Sequence, residues 1–520
     1  MKLTIKICGL YFLLILALSW SEVSAQSLQT WIDPALPSNG KEMLSSEIRI
    51  ASDRDTADCR IELASDPNLD PNSVTIRWVY VLAAPYATPI DDISLQAVQK
   101  VWHGETDTVI SQFVLDEETY HVFSKNWGEA DPDTVKVLSK DALLAETWQK
   151  DAVWAIIPFE AMDPRWKMIQ VDGTSPFDID FDPERYALSV VWQFRPRNKI
   201  RPCAFSLPKS NFDRGKMTSL TLTGTTAMVR QLAYHIEEDG LLYPVKNIAA
   251  VLSASDITHV SNEVSFSLDC PPAVPLRREA RFCSDPRYIR ILEAIGADVI
   301  ELTGNHVLDW GTEPFLYSLD LYHKKGYQVY GGGLNADEGQ KPVFFEHHGN
   351  RIAILGCNAI GPENILAGSD TPGAAPCDLE KMKQQITDLK DAGWLVVVTF
   401  QHLEWPYYDV TPLQSHDFYE IAETGPAIIS GSQAHIPQGM TFVGKTFIHF
   451  GLGNLLFDQM SDVERDSFFD RHYFYDGRYI GNVLETIRLE NYSQPRFLQA
   501  DERESFLAMI FDTCSWNRVF

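Results

Sequence analysis

The sequence predicts an α/β protein, and three observations lead there. Six short apolar runs between Ser219 and Asn454 each end abruptly in small, polar or metal-binding residues: SLTLTGTT (219–226), DITHVSNE (256–263), DVIELTGNH (298–306), WLVVVTFQH (394–402), AIISGSQAH (427–435) and TFIHFGLGN (446–454). Each reads as a buried strand feeding a loop. Segments with helical spacing lie between them, so that strand, loop, helix and strand follow one another. Loops leaving the carboxyl ends of parallel strands converge along one edge of a sheet, which places Glu263, Asn305, His306, His402, His435 and Asn454 in one expected crevice.

The chain opens with Lys2 and Lys6, an apolar stretch from Ile7 to Trp20, and Val23-Ser24-Ala25 before Gln26. This is the pattern of a secretory signal cleaved after Ala25. The apolar stretch is shorter than the ~20 residues a spanning helix needs. No cysteine follows it, as a lipoprotein signal would require, and no later segment is long and apolar enough to span. The mature protein is therefore expected to be exported, to the periplasm, the cell surface or the medium, without a transmembrane helix.

At 520 residues the chain is expected to hold more than one domain. IRWVYVLAAPY (76–86) reads as a buried strand, followed by a helix near Leu95 to Trp102 that stops at Gly104. DAVWAIIPFEAM (151–162) and MIQVDG (168–173) read as further strands. This part resembles, in outline, one lobe of a periplasmic substrate-binding protein. Residues 194–217 hold seven Lys or Arg, three Pro and a single acid in an otherwise acidic chain, and read as a linker. The expected organisation is a signal peptide (1–25), an α/β accessory domain (26–193), the linker (194–217) and a second domain (218–520).

In the second domain, Asp285 and Pro286 open a helix carrying Ile289, Leu292 and Ile295 and stopped by Gly296. Thr312, Glu313 and Pro314 open the next, with Phe315, Leu319 and Tyr322 on its inner face and Gly326 as its stop. Met382, Ile386 and Leu389 mark a third before Gly393. The stretches Tyr479 to Ile487 and Ser505 to Phe511 read as strands completing a second sheet.

The formal charge of −27 becomes about −28 once two lysines and Glu22 leave with the signal. Such a surface disfavours nucleic acid and anionic membranes as partners. Seven cysteines remain; Cys270 with Cys283 and Cys357 with Cys377 are the natural pairs in an oxidising compartment, and the odd count leaves one thiol over.

The strand ends carry the chemistry. In Thr303-Gly304-Asn305-His306 the glycine permits a tight turn, the Asn carbonyl oxygen suits a hard or borderline cation, and the histidine can act as an acid toward a leaving oxygen. Asp309 lies three residues on. His402 and His435 end strands, where imidazoles make suitable metal ligands, and Glu263 adds the anionic oxygen a divalent cation needs. Taken singly, each histidine is more commonly a structural residue; the shared placement gives them weight.

From Leu220 to about Asp458 the sequence resembles the CapA-type capsule-synthesis family, which is linked to poly-γ-glutamate capsules and built on a calcineurin-like metallophosphoesterase fold. The resemblance rests on Gly224 to Arg230 for the family's GDVMLGR-like opening, Asn262-Glu263 for NLE, Thr303 to His306 with Asp309 and Gly311 for TGNHxxDxG, and Tyr330 to Asn335 for GxGxN. It continues with His402 for HWG, Gly431 to His435 for GHHPH, and Gly451 to Phe457 for SLGNFVF. It implies a four-layer αββα domain, a capsule or envelope polymer as partner, and a metal site. The chain departs from the pattern where it matters most. Thr225 stands for the usual Asp, Ser432 and Gln433 replace two histidines, and Leu403-Glu404 follow His402.

A two-metal phosphoesterase clamps substrate between bridged cations, and these losses argue against two tightly held ions. The remaining set, Glu263, Asn305, His402 and His435, is expected to hold one divalent cation (Mn, Zn or Fe), with His306 and Asp309 as the catalytic pair. Arg230, Asn454 and Glu404 are expected to face substrate; Glu404 and Asp309 are also carboxylates that could replace the missing one. Two readings of function follow. One is a metal-dependent hydrolase or transferase acting on a phosphoester or an envelope polymer. The other is a catalytically degraded binding or assembly protein for an anionic polymer, with no metal.

Overall fold

The computed structural model describes residues 29–45, 48–64, 74–197, 203, 209–275 and 280–520. The expected signal peptide and much of the expected linker lie outside the described residues. No helix among the described residues is long and apolar enough to cross a membrane. The chain divides into two compact units, the described parts of 1–76 with Val191–Lys209, and Arg77–Val190 with Ser210–Phe520.

In the first unit, Gln29–Ile32 pairs in parallel with Arg49–Ile50 and with Cys59–Leu63, and residues 192–196 close the other side antiparallel to Cys59–Leu63. A disulfide joins Cys59 to Cys203.

The second unit holds two α/β lobes. In the first lobe, Thr75–Pro85 is buried along nearly its whole length and pairs antiparallel with Val153–Pro158 and Trp166–Val171. Gln112–Leu115 joins Val153–Pro158 in parallel, and Val135–Val137 follows. The helix Leu95–Trp102 matches its expected span, and Gly104 beyond it takes φ +88°.

The second lobe has four layers, and three separate apolar clusters define them. Its first sheet runs Gln328–Tyr330, Val299–Glu301, Ile257–Asn262, Met217–Thr223, Asp466–Tyr475, Arg478–Glu490 and Gln494–Phe497. The first four strands are parallel, as βα crossovers require, and the remainder antiparallel. Its second sheet runs Val343–His347, Asn350–Asn358, Leu395–Gln401, Ile428–Ser430, Thr446–His449 and Met440–Val443, with a parallel centre. Outside the first sheet, Leu232, Leu292 and Phe315 from three helices pack with Val260 and Ile300. Between the sheets, Leu220, Leu222 and Val299 meet Ile354, Val397 and Ile428. Outside the second, Val396, Val398 and Ile429 meet Met382, Ile386 and Phe418 from two further helices. Helix, sheet, sheet and helix is therefore the layer order, as the family resemblance implies.

Two expectations are corrected. Arg478–Glu490 belongs to the first sheet and not the second, as the partner of Asp466–Tyr475. Ser505 to Phe511 is part of a helix, Ala500–Asp512, because Phe506, Leu507, Ile510 and Phe511 recur with the helical period and Gln499 forms a capping box with Glu502.

The space between the sheets is apolar at one end and polar at the other. Glu301, His259, Thr399, Ser430 and His449 are fully buried toward the carboxyl ends of their strands. Glu301 accepts hydrogen bonds from Ser432 and from Thr303 (2.8 Å) and lies 3.2 Å from His259 Nε2. This network supports the crevice from behind.

Candidate metal centre

Glycines bring the strand ends close together. A Cβ at Gly304 would lie 2.8 Å from Glu263 Cα and 2.9 Å from its Cγ, so this glycine allows close approach and is not needed for a left-handed turn. A Cβ at Gly224 would lie 1.9 Å from Gly453 O, and one at Gly431 1.8 Å from Phe450 O. These contacts set the Thr225, Asn454 and His435 loops against one another.

At the meeting point, Glu263, Glu404 and His435 present ligand atoms that all lie within 4.8 Å of one another. His435 Nε2 is 3.7 Å from Glu263 Oε1 and 3.7 Å from Glu404 Oε1. Its Nδ1 lies 2.9 Å from Asn454 Oδ1, and Asn454 donates in turn to Gln459 (2.9 Å). A carbonyl oxygen accepting at Nδ1 requires the proton there and directs Nε2 into the cluster. Asn305 Nδ2 donates to Glu404 (2.9 Å). Glu263 is fully buried, and neither of its carboxylate oxygens has a hydrogen-bond partner among the described residues; nor does Asn305 Oδ1.

The charges respond to this crowding. Burial raises the Glu263 carboxyl above its usual range, against the pull of His435 and His306. Burial works against a proton on His435, but the two glutamates push it up to about 9. The adjoining imidazole holds Glu404 down to about 2. A lone histidine clamped by two carboxylates, with further unpartnered oxygens beside it, is the donor chemistry of a site for one divalent cation.

The structure brings the sequence-predicted residues together unequally. Glu263, Asn305 and His435 meet as expected. Glu404, read as substrate-facing, stands in the cluster beside His435. His402 does not reach the cluster: its Nε2 is 3.0 Å from Asp417 Oδ2, and its Nδ1 accepts from Leu403 N (2.8 Å). His306 lies beside the cluster with Nδ1 2.7 Å from Asp309 Oδ2. Burial disfavours its charged form, while Asp309 and Glu263 more than compensate and raise it. Asp309 is fixed by Phe282 N (2.8 Å).

Arg230 opens its helix at φ +47° and forms an ion pair with Asp458, with Nε 3.0 Å from Oδ1. Its guanidinium lies between Phe282 and Phe457, 5.0 Å from each ring centre. Thr225 is buried without a partner for its hydroxyl among the described residues, and Ser432 is turned toward Glu301. Phe457 closes the Gly451 to Phe457 motif, but Asp458, Gln459 and Phe282 are not among the candidate site residues read from the sequence. The place of Asp458 directly after that motif is the available signal for it, and nothing local points to Phe282.

Residues 219–459 match the family described as bacterial capsule synthesis protein PGA_cap. The PGA biosynthesis protein CapA of Bacillus subtilis is 23% identical over 263 residues, covering 50% of this chain and 68% of that protein. Among solved structures, the NAD nucleotidase NadN of Haemophilus influenzae aligns at 12% identity and a TM-score of 0.32, over 56% of this chain and 55% of that one. An ABC-type phosphate transport receptor from Vibrio cholerae aligns at 11% identity and a TM-score of 0.28, over 33% and 88%. At such TM-scores these two likenesses add no functional argument. The family match, the relative and the ordered motifs agree, and residues 219–459 are similar to the CapA-type capsule-synthesis proteins.

Proposed function

We propose that this chain is an exported CapA-family protein that acts on a capsule or cell-envelope polymer as a single-cation hydrolase or transferase. The observation behind the proposal is the buried Glu263, whose two unpartnered oxygens face His435 beside Glu404. A buried carboxylate left without partners costs several kcal/mol unless something binds it. Glu263, Glu404 and His435 would hold the cation, with Asn305 Oδ1 as a fourth donor. When bound, the cation supplies Lewis-acid polarisation of the scissile group.

The chain's own residues do the rest. Asn454, whose Oδ1 accepts from His435 Nδ1, holds that ring in orientation. Asp309 binds His306 at Nδ1, leaving Nε2 to carry a proton toward a leaving oxygen. Phe282 and Phe457 flank the Arg230 guanidinium and, with Asp458, hold it in place.

The second reading, a binding or assembly protein without turnover, is favoured by Thr225, which lacks a carboxylate, and by Ser432 and His402, whose polar atoms are engaged by Glu301, Asp417 and Leu403 N. Hydrolysis of an activated phosphodiester with added Mn, Zn or Fe separates the two. Metal-dependent turnover abolished by Glu263→Gln and reduced by His306→Gln supports the enzyme. Polymer binding with no turnover under any metal, unchanged in both variants, overturns it.

A further inference from the structure

Away from the candidate metal centre, the second unit contains a cavity of about 470 Å³ between the loop 173–180 and the strands Asp466–Tyr475 and Arg478–Glu490. Its size is that of a small-molecule site. Its walls combine both charge signs with aromatic surface, unlike the acid-dominated surface of the chain as a whole.

One wall is a three-group ion cluster. Asp91 accepts from Lys167 (2.8 Å) and, through both oxygens, from Arg503. Lys167 also donates to Thr88 O (2.8 Å), and Arg503 to Leu484 O and Thr486 Oγ1. Two cations therefore share one carboxylate, leaving that wall with a net positive charge. Burial pushes the Lys167 ammonium down to about 8 despite Asp91, as expected where positive charge is in excess.

The second wall is an ion pair that has not closed. Arg471 and Glu485 project from neighbouring antiparallel strands, in a register that pairs Arg471 with Val483 and Phe469 with Glu485, so the two form a diagonal pair on one face. Arg471 Nη1 stays 4.0 Å from Glu485 Oε1, outside hydrogen-bond distance. Arg471 Nη2 donates to Val251 O (2.8 Å), and its buried Nε has no partner among the described residues. Burial raises the Glu485 carboxyl, and Arg471 only partly offsets this. Asp178 lines the same space, held by Ser175 N (2.7 Å). Beside these groups the Phe177 and Tyr473 rings, stacked in parallel at 4.0 Å, form an apolar part of the lining.

We propose that this cavity binds a small zwitterion of the α-amino-acid class, its carboxylate on Arg471, its ammonium between Glu485 and Asp178, and its side chain along the Phe177 and Tyr473 rings. The carboxylate and ammonium of an α-amino acid are adjacent and opposite in charge, as are Arg471 and Glu485, so the ligand completes both half-made ion pairs at once. A purely anionic ligand would leave Glu485 facing its charge. A purely cationic one would leave Arg471 Nε unpaired and add to the excess positive charge of the Asp91 wall. The proposal goes beyond the function assigned to the metal centre and does not depend on it.

Isothermal titration of the purified protein with glycine, L-leucine, L-glutamate and L-lysine, with acetate, methylamine and inorganic phosphate as controls, tests it. The expected result is saturable binding of at least one amino acid, at least tenfold tighter than acetate or methylamine. That affinity falls at least tenfold in Glu485→Gln, which keeps the shape, and in Arg471→Gln, and is unchanged in Glu263→Gln. No saturable binding by any of the four amino acids overturns the proposal. So does equal binding of acetate or phosphate, or an affinity that survives Glu485→Gln in a variant whose melting temperature matches the parent. If Arg471→Gln fails to fold, Glu485→Gln and Asp178→Asn decide the question.

Discussion

His472 provides a measurable pH dependence of stability. The residue lies fully buried on the inner face of the first sheet, opposite Leu220, with Nδ1 3.0 Å from the Tyr479 hydroxyl and no partner for Nε2 among the described residues. Burial lowers its pKa to about 4, opposed by Asp470 and reinforced by His449. The folded value is below the unfolded value of about 6.5, so the unfolded chain takes up a proton first as the pH falls. The stability tied to the neutral ring is present above pH ~6.5 and is lost as the pH drops from there toward 4. Integrated to pH 4.5, the loss is about 2.5 kcal/mol. Urea unfolding at pH 7.5 and 4.5, for the parent and for His472→Gln, isolates it from the carboxylates that titrate in the same range. The variant is less stable at neutral pH because its core is disturbed, but its stability falls less with acid, by about 2.5 kcal/mol. Equal acid losses in parent and variant, within about 0.5 kcal/mol, would refute the assignment of a buried neutral imidazole.

Two further perturbations read the packing of the strand ends and the thiols. Gly431→Ala places a methyl 1.8 Å from Phe450 O, so the variant is expected to lose about 3 kcal/mol or more in urea unfolding. Gly477→Ala, at φ +74° with no atom within 4 Å of its added carbon, is expected to lose only about 1 kcal/mol. Peptide mapping without reduction is expected to give the pairs Cys59–Cys203, Cys270–Cys283 and Cys357–Cys377. Cys514, whose thiol is pushed up to about 12 by burial, is expected to react with thiol reagents much more slowly in the folded protein than after unfolding.

Much of the second lobe could be read from the sequence because its strands announce themselves twice, by a short apolar run and by a polar or histidine-bearing end. The strand Asn350–Asn358 lacks the second signal: RIAILGCN ends in Cys and Asn, and it went unnoticed although it pairs along its length with Leu395–Gln401. Ser505 to Phe511, read as a strand, differs for the opposite reason. Six nearly continuous apolar residues fit a buried strand or a helix equally, and the deciding cue was the cap at Gln499, outside the run. The same limits apply to the site. Glu263, Asn305 and His435 are carried by ordered motifs. The partner that ties up His402 is Asp417, on the following helix, and the reach of Glu404 into the cluster depends on how the loop after Gln401 turns. Cys59 and Cys203 are 144 residues apart and leave no local trace of their pairing.

The central claim is that Glu263, Glu404 and His435 form a site for one divalent cation. Metal analysis of the purified protein after incubation with manganese, zinc or iron and extensive dialysis tests it most directly. The account predicts about one equivalent retained, lost in Glu263→Gln and in Glu404→Gln but kept in His402→Gln, whose ring is bound to Asp417 and Leu403 N. No retained metal under any of the three conditions, or retention that survives Glu263→Gln and disappears with His402→Gln, would contradict it.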